Sequence, residues 1–599
     1  PPPKERTMSK SLTTLALIFC SFFSNPVFIA SGQPALPAFP LAENYAPLAD
    51  EAIIKGDLGR RLDQHLNRLA DFGFSGSVLV AKGRQIVFHK AYGLADRARN
   101  IPVSTATVFD IASITKQFTA AALLRLEMAG KLKTSDPINK FLPNVPDDKS
   151  AITLEHLLTH TSGMGGVLNG TESVTRDQFI AGILRQPLAS KPGTAYAYSN
   201  AGFTLLAALI ELVSGQTYET FLSEQLFKPA GMTNTGFYED KSRWDSGLVA
   251  HGYDEDTDKG APTEWKPDYR FRGSSYVLTT AGDLFKWEMA LRGDAILSKE
   301  AKRKFFSAPA PTDEPGRSYG YGWVAEKTAR RTALISHDGI GFGFNSIFQR
   351  YTDEDVTIVA LSNKLMGRFL PMAPLGRDLS AIVFDGKTTE LPASIPAAKS
   401  SLEKFAGVYR LPSGAQLKVV SDGNLKISAE GQEAIELLAG ATASERKTLE
   451  DLSSRARAAL EGVARGNFDP MIKEMKGRAE PDEIKKDIGD WWARFTNRHG
   501  QFKSLDVLGT VPETEAMMTY VRLNFERGEE YRRCRWENGS LAYILLVALP
   551  LIPTHFVAKS ETEFYGYHLG LARIVRISFN ADGLVFYGTD GKHFAQRLK

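Results

Sequence analysis

The chain is 599 residues long, 43% hydrophobic and 24% charged, enough apolar material for packed cores and a length suited to roughly two to four domains. Its 72 basic residues nearly balance 69 acidic ones, for a net charge of +3, so charge gives no support to a nucleic-acid partner and none is expected.

In chain order, an export signal comes first. Met8 and Lys10 lead into the apolar run Leu12 to Phe23, which has signal-peptide length and is too short to span a bilayer. Ala30, Ser31 and Gly32 offer a cleavage point, so residues 1–32 are expected to be leader and signal peptide, with Pro1 to Thr7 a tag or an upstream misreading of the start. The alternative is an uncleaved anchor. Cys20 follows the bulky Phe19, which suits a lipoprotein signal poorly. Cleavage would leave Cys534 alone and exclude an intramolecular disulfide. The mature chain is then expected in the periplasm or outside the cell, with no stable membrane span.

A proline-rich stretch (Pro34, Pro37, Pro40, Pro47) reads as a linker over residues 33–59. Ser75 to Phe88 alternates as a hairpin does, with Gly83 at its turn. A helix is expected from Ser113 to near Gly130, and at its start Ser113 and Lys116 stand three residues apart. One turn puts them on the same face, so the amine can serve as base to the hydroxyl, which is a weak nucleophile alone. The helix N-terminus adds N–H groups that favour negative charge on an attacked carbonyl.

Further on, His156 and His160 have the spacing of zinc ligands on a helix, but Leu157 stands where the glutamate of such a motif belongs, so no metal is expected. Tyr198-Ser199-Asn200 precedes an apolar helix over Leu205 to Val213 that Gly215 ends. Asp254, Asp256 and Asp258 imitate a calcium loop, yet Lys259 occupies the turn-glycine position and Trp265 the twelfth. Strands are expected at Arg331 to Ser336 and Val356 to Ser362, with His337-Asp338-Gly339 directly after the first. No GxSxG elbow and no glycine-rich phosphate cradle occurs, and no cofactor is expected.

Ser113-x-x-Lys116, Tyr198-x-Asn200 and His337-x-Gly339, in this order, resemble the signatures of the serine β-lactamase and penicillin-recognising family, in particular its class C, D-aminopeptidase and esterase branch. The phrases Leu154 to Gly163 and Pro229 to Thr235 resemble the same branch, and the resemblance covers about residues 60–385. It implies an α+β fold, an antiparallel sheet flanked by helices. It also implies an acyl-enzyme on Ser113, with Lys116 and a Tyr198 phenolate sharing the base and His337 completing the catalytic set. Asn200 would hold the acyl side chain, Gly339 would let the substrate backbone approach, and the N–H groups of Ser113 and Ile340 would form the oxyanion hole. His337 replaces the lysine of the β-lactamase signature, which removes a fixed positive charge for a penicillin carboxylate. Ile340 narrows the acyl pocket.

The expected function is therefore an exported serine hydrolase of peptidase or esterase type, acting on a small molecule or short peptide rather than as a dedicated β-lactamase. The alternative is a catalytically silent penicillin-fold receptor that binds peptidoglycan.

After a linker over 386–400, Gly407 to Ile427 reads as short strands that resemble the opening of a lipocalin-like barrel. Closing strands are expected only at Phe556 to Phe564 and Arg576 to Gly583. The barrel is thus assigned to 401–441 and 549–599. Between them, 442–548 reads as an inserted α+β module: helices at Leu449 to Ala464 and Pro481 to Phe495, then strands at Met517 to Phe525, Tyr531 to Trp536 and Leu541 to Leu549. That order faintly resembles a nuclear-transport-factor-like cone. The alternative is one irregular accessory domain over 400–599. Either could gate the site or drive oligomerisation.

Overall fold

Gly76–Lys82 and Gln85–Tyr92 pair as a hairpin that turns at Gly83, where φ is +58°. The computed structural model describes residues 51–598, apart from positions 167, 169–172, 246, 255–256, 313–315, 366–371, 388–389, 477–479, 513–515, 547–553 and 569–571. The expected signal, Cys20, the linker up to residue 50, Asp256 and Val547 to Leu549 lie outside the described residues.

The hairpin is one part of a nine-stranded sheet. It runs on through Val356–Ser362, Phe344–Tyr351 and Ala333–Gly341 to the short strands Val324–Lys327, Arg317–Tyr319 and Ala310–Pro311, each pair antiparallel. Two distant stretches of chain meet here because both faces of their strands are apolar. Val78, Val80, Ile358 and Ala360 pack on one face against Leu62 and Leu66 of helix Gly56–Asp71 and Leu375 and Leu379 of helix Ala373–Phe384. Leu79, Val359 and Leu361 are buried on the other face, against which helix Ala281–Arg292 packs.

Helix Thr115–Met128 is buried along its length from Thr115 to Leu126, so it is enclosed by neighbours and has no solvent face. It packs on Asn200–Ser214. That helix starts where the Ser199 side chain accepts the Gly202 N–H and stops at Gly215, whose φ of +74° suits glycine.

The C-terminal region contains a closed eight-stranded barrel. Gly407–Arg410, Gln416–Asp422 and Asn424–Glu430 continue into Thr554–Ala558, Glu563–His568, Arg573–Phe579, Gly583–Gly588 and Gly591–Arg597. Tyr409 opposite Arg597 closes the circle. The stretch expected as one strand from Phe556 to Phe564 is two strands of that circle. Leu417, Ile427, Phe556, Phe564, Ile577 and Leu584 belong to one buried apolar cluster.

Between the third and fourth barrel strands the chain forms four helices, the longest being Ala443–Ala464 and Pro481–His499, and an antiparallel four-stranded sheet from Phe502 to Leu546. Trp492, Phe495, Phe525 and Trp536 pack between them.

The barrel meets the N-terminal region on the side of helix Gly56–Asp71. Val557 and Tyr567 join the cluster of Leu62 and Leu66, the Tyr567 hydroxyl donates to Asp378 at 3.0 Å, and Lys364 Nζ lies 3.3 Å from His555 Nε2. Among the described residues no helix is long and apolar enough to cross a membrane.

Candidate active site

Ser113 occupies a single 3-10 turn, Ala112–Ile114, that runs straight into helix Thr115–Met128. The turn is entered through Ala112 at φ +44°, a region that a Cβ disfavours. Asp110 holds it there: Oδ1 accepts the Ala112 N–H at 2.7 Å, and Oδ2 accepts the Tyr238 hydroxyl at 2.5 Å. Burial pushes the Asp110 carboxyl up to about 6, and its two hydrogen bonds oppose the shift.

One turn along, Lys116 Nζ lies 2.9 Å from Ser113 Oγ, 2.8 Å from Asn200 Oδ1 and 3.0 Å from the Ser274 carbonyl oxygen. The side chain is fully buried, and burial pushes its pKa well below the lysine range against the opposing pull of the Asp338 charge. An uncharged amine has two hydrogens and one lone pair. The carbonyl oxygens of Asn200 and Ser274 can only accept, so they take both hydrogens. The lone pair is left for the Ser113 hydroxyl proton.

Tyr198 lies beside the pair, with Lys116 Nζ 4.8 Å from the centre of its ring. The residue is 40% exposed. Desolvation at the hydroxyl end nevertheless pushes the phenol above the tyrosine range, opposed by the nearby Ser113 hydroxyl. Burial thus disfavours both charges of the expected ammonium and phenolate pair.

His337 lies on strand Ala333–Gly341, which runs past the expected end at Ser336. Its Nδ1 donates to the Asp338 carbonyl oxygen at 2.6 Å, and its Nε2 accepts the Tyr319 hydroxyl at 2.9 Å. Burial lowers its pKa to about 4, so the ring is neutral near pH 7. Both nitrogens are engaged inside the protein, and in this arrangement His337 supports Tyr319.

The need for glycine at 339 also differs from the expectation. A Cβ there would stand 2.1 Å from the Ile111 carbonyl oxygen and 2.4 Å from Ser346 Oγ. The missing side chain lets the strand close on the segment that delivers Ser113, not on a substrate. Beyond it, a Cβ on Gly341 would meet the Ala112 Cβ at 3.5 Å, so the half-buried Ile340 between them borders the nucleophile turn. Pairing with Val324–Lys327 ends at Ser336, which leaves that edge of residues 337–341 without a strand partner among the described residues.

Residues given no catalytic part by the sequence complete the site. His160, at φ +57°, accepts the Ser199 N–H on Nδ1 at 3.0 Å and packs at a tilt against Tyr198 and Tyr319 with ring centres 4.3 and 4.4 Å away. It thereby grips the residue between Tyr198 and Asn200. His156 instead accepts the Thr153 N–H in a helix cap, so the two histidines do not share a ligand. Among the described residues no group of three or more His, Cys, Asp or Glu side chains is arranged to hold a metal. Asp110 and Asp338 carried a signal only through their proximity in sequence to Ser113 and His337, whereas Tyr319 and Ser274 carried none.

Residues 67–379, more than half of the chain, match the Beta-lactamase family. The chain belongs to that family. Penicillin-binding protein 4* of Bacillus subtilis (strain 168) is 29% identical over 391 residues, 61% of this chain and 86% of that protein. The putative penicillin-binding protein PbpX of the same organism is 34% identical over 302 residues, 50% of this chain and 73% of that one. The structure of the octameric penicillin-binding protein homologue from Pyrococcus abyssi matches 90% of this chain and 100% of its own at a TM-score of 0.50 and 19% identity, a likeness of fold alone. Members of the Beta-lactamase family are serine hydrolases and penicillin-binding relatives, which agrees with a Ser-Lys-Tyr cluster at the meeting of sheet and helices.

Proposed function

We propose that this protein is an exported serine hydrolase that cleaves an amide or ester through an acyl-enzyme on Ser113. The observation that carries the reading is the hydrogen-bond count at Lys116: two acceptor-only partners at 2.8 and 3.0 Å consume its hydrogens and turn its lone pair to Ser113 Oγ at 2.9 Å.

Lys116 removes the Ser113 proton as Oγ bonds to the substrate carbonyl carbon. The Tyr198 phenol gives its proton to the leaving amine or alkoxide and is reprotonated by the Lys116 ammonium, so the serine proton leaves with the first product. Water then bonds to the acyl carbon as it gives a proton to the same pair, and that proton passes to Ser113 Oγ as the acyl–oxygen bond breaks and the acid leaves. The N–H groups of Ser113 and Ile340 stabilise the oxyanion, each such donor being worth ~100-fold or more in rate. Asn200 aims Lys116 through Oδ1 and has its amide nitrogen for the acyl side chain. The branched Ile340 selects short acyl groups, and equal rates on short and long acyl esters would remove it from that role. The neutral His337 supplies no charge for a penicillin carboxylate, which favours esters or peptides as substrates. Oligomerisation through the C-terminal region belongs to this proposal, with light scattering as its measure.

The test is an intact-mass time course with a short-chain aryl ester, run beside Ser113→Ala. One acyl adduct that maps to Ser113 and decays with product release is expected. Absence of any adduct on the folded protein would favour the silent receptor.

A further inference from the structure

Asp338 lies between His337 and Gly339 on the strand edge that, among the described residues, has no strand partner beyond Ser336. Its side chain is 49% exposed, and among the described residues the basic group within 4.0 Å is His337, whose Nδ1 stands 3.9 Å from Oδ1. That imidazole already donates its Nδ1 hydrogen to the Asp338 carbonyl oxygen and is neutral near pH 7, so it does not balance the carboxylate. The charge nevertheless acts on the reacting groups: Lys116, Tyr198, Tyr319 and His337 all feel Asp338. Burial disfavours the charged forms of Lys116, His337 and the tyrosines, so the exposed Asp338 and the buried Asp110 are the acidic groups around Ser113, and of the two Asp338 is the one a substrate can meet.

Resting on the hydrolase reading above, we infer that Asp338 sets substrate charge, selecting esters or amides that carry an ammonium group close to the scissile carbonyl and rejecting those with a free carboxylate there. The exposed carboxylate is open to a substrate along the same edge that borders Ser113. Opposite charges within about 4–6 Å attract, and in a cleft walled by protein the attraction exceeds its value in bulk water. A carboxylate at the same place meets repulsion and finds no cation to offset it, since a histidine held neutral stands at position 337.

The experiment uses the full chain and three benzyl esters that each carry one methylene between the carbonyl and the varied group: glycine benzyl ester (cationic), benzyl propionate (neutral) and monobenzyl malonate (anionic). Released benzyl alcohol gives kcat/KM for each, at low and at raised salt. The quantity read is the ratio of cationic to anionic substrate, compared between wild type and variants. Intrinsic ester reactivity cancels in that comparison, as does any change transmitted through Lys116. Asp338→Asn is expected to lower the ratio at least tenfold, Asp338→Lys to lower it further, and Asp338→Glu to retain most of it. The wild-type ratio should shrink with salt, because the carboxylate is half exposed. A ratio unchanged within twofold in folded Asp338→Asn and Asp338→Lys, with turnover and a Ser113 adduct intact, overturns the inference and leaves the hydrolase standing. No adduct on wild-type Ser113 with any of the three esters overturns both.

Discussion

The serine hydrolase region and the C-terminal barrel bury different things. The barrel strands turn Leu417, Ile427, Phe556, Phe564, Ile577 and Leu584 inward, and among their described residues Lys426 is the buried charged or polar side chain. The hydrolase region buries Asp110, Lys116, His160 and His337 within a few residues of the nucleophile, each below 5% exposure. Apolar burial stabilises by about 25 cal/mol per Å² and asks for no particular partner. A buried ionisable group is costly unless it is hydrogen-bonded, and Asp110, Lys116 and His337 are each matched to named acceptors or donors, as is Nδ1 of His160. The first kind of core holds a shape, and the second holds a protonation state. The barrel also docks on the sheet face of helix Gly56–Asp71, through Val557 and Tyr567, away from the turn that bears Ser113.

The largest effect that would test this contrast is at Lys116. Lys116→Met is expected to lower kcat/KM by about 10⁴-fold, comparable to loss of a triad member, while circular dichroism stays native. A loss below tenfold would mean that another base serves Ser113. In the barrel, Ile577→Ala should cost ~2–5 kcal/mol, as cavities in apolar cores do. Its acylation rate, measured well below the melting temperature, should remain within about twofold of wild type. A parallel fall in acylation would show that the barrel does more than hold shape.

His337 sharpens the comparison through pH. Its folded pKa is lowered to about 4 from 6.5, so the unfolded chain takes up the proton first as pH falls below 6.5. Stability from this residue is present above that value and is lost down to about pH 4, at ~1.4 kcal/mol per pH unit. Denaturant midpoints of His337→Gln should show a shallower acid slope than wild type in that window. The smallest effect concerns the acid limb of kcat/KM. Asp338 holds the Lys116 pKa up, so Asp338→Asn should shift that limb to lower pH, by less than about one unit for a half-exposed charge. A shift to higher pH would contradict the placement of that charge.

Much of the fold was legible because period and punctuation are local. The hairpin about Gly83, strand Val356–Ser362 and strand Met517–Phe525 lie where alternation put them. The expected ammonium and phenolate were not, because a residue's charge depends on how much protein surrounds it. Burial of Lys116 on every side comes from helices and loops distant in sequence, among them Asn200 and Ser274. The reason for Gly339 was hidden likewise, since the atom that fills its side-chain space belongs to Ile111.

By itself, then, the order of Ser113, Lys116, Tyr198, Asn200 and the His337-to-Gly339 triplet pointed to the family and to Ser113 as the proposed nucleophile, because i to i+3 spacing on a helix is geometry that any sequence carries openly. Tertiary structure alone decided the burial that disfavours charge on Lys116 and His337, the bond from His337 to Tyr319, the grip of Asp110 and His160, and the exposure of Asp338. Those properties depend on solvent exclusion and on hydrogen-bond partners far along the chain, and neither exists until the sheet and helices have closed around the site.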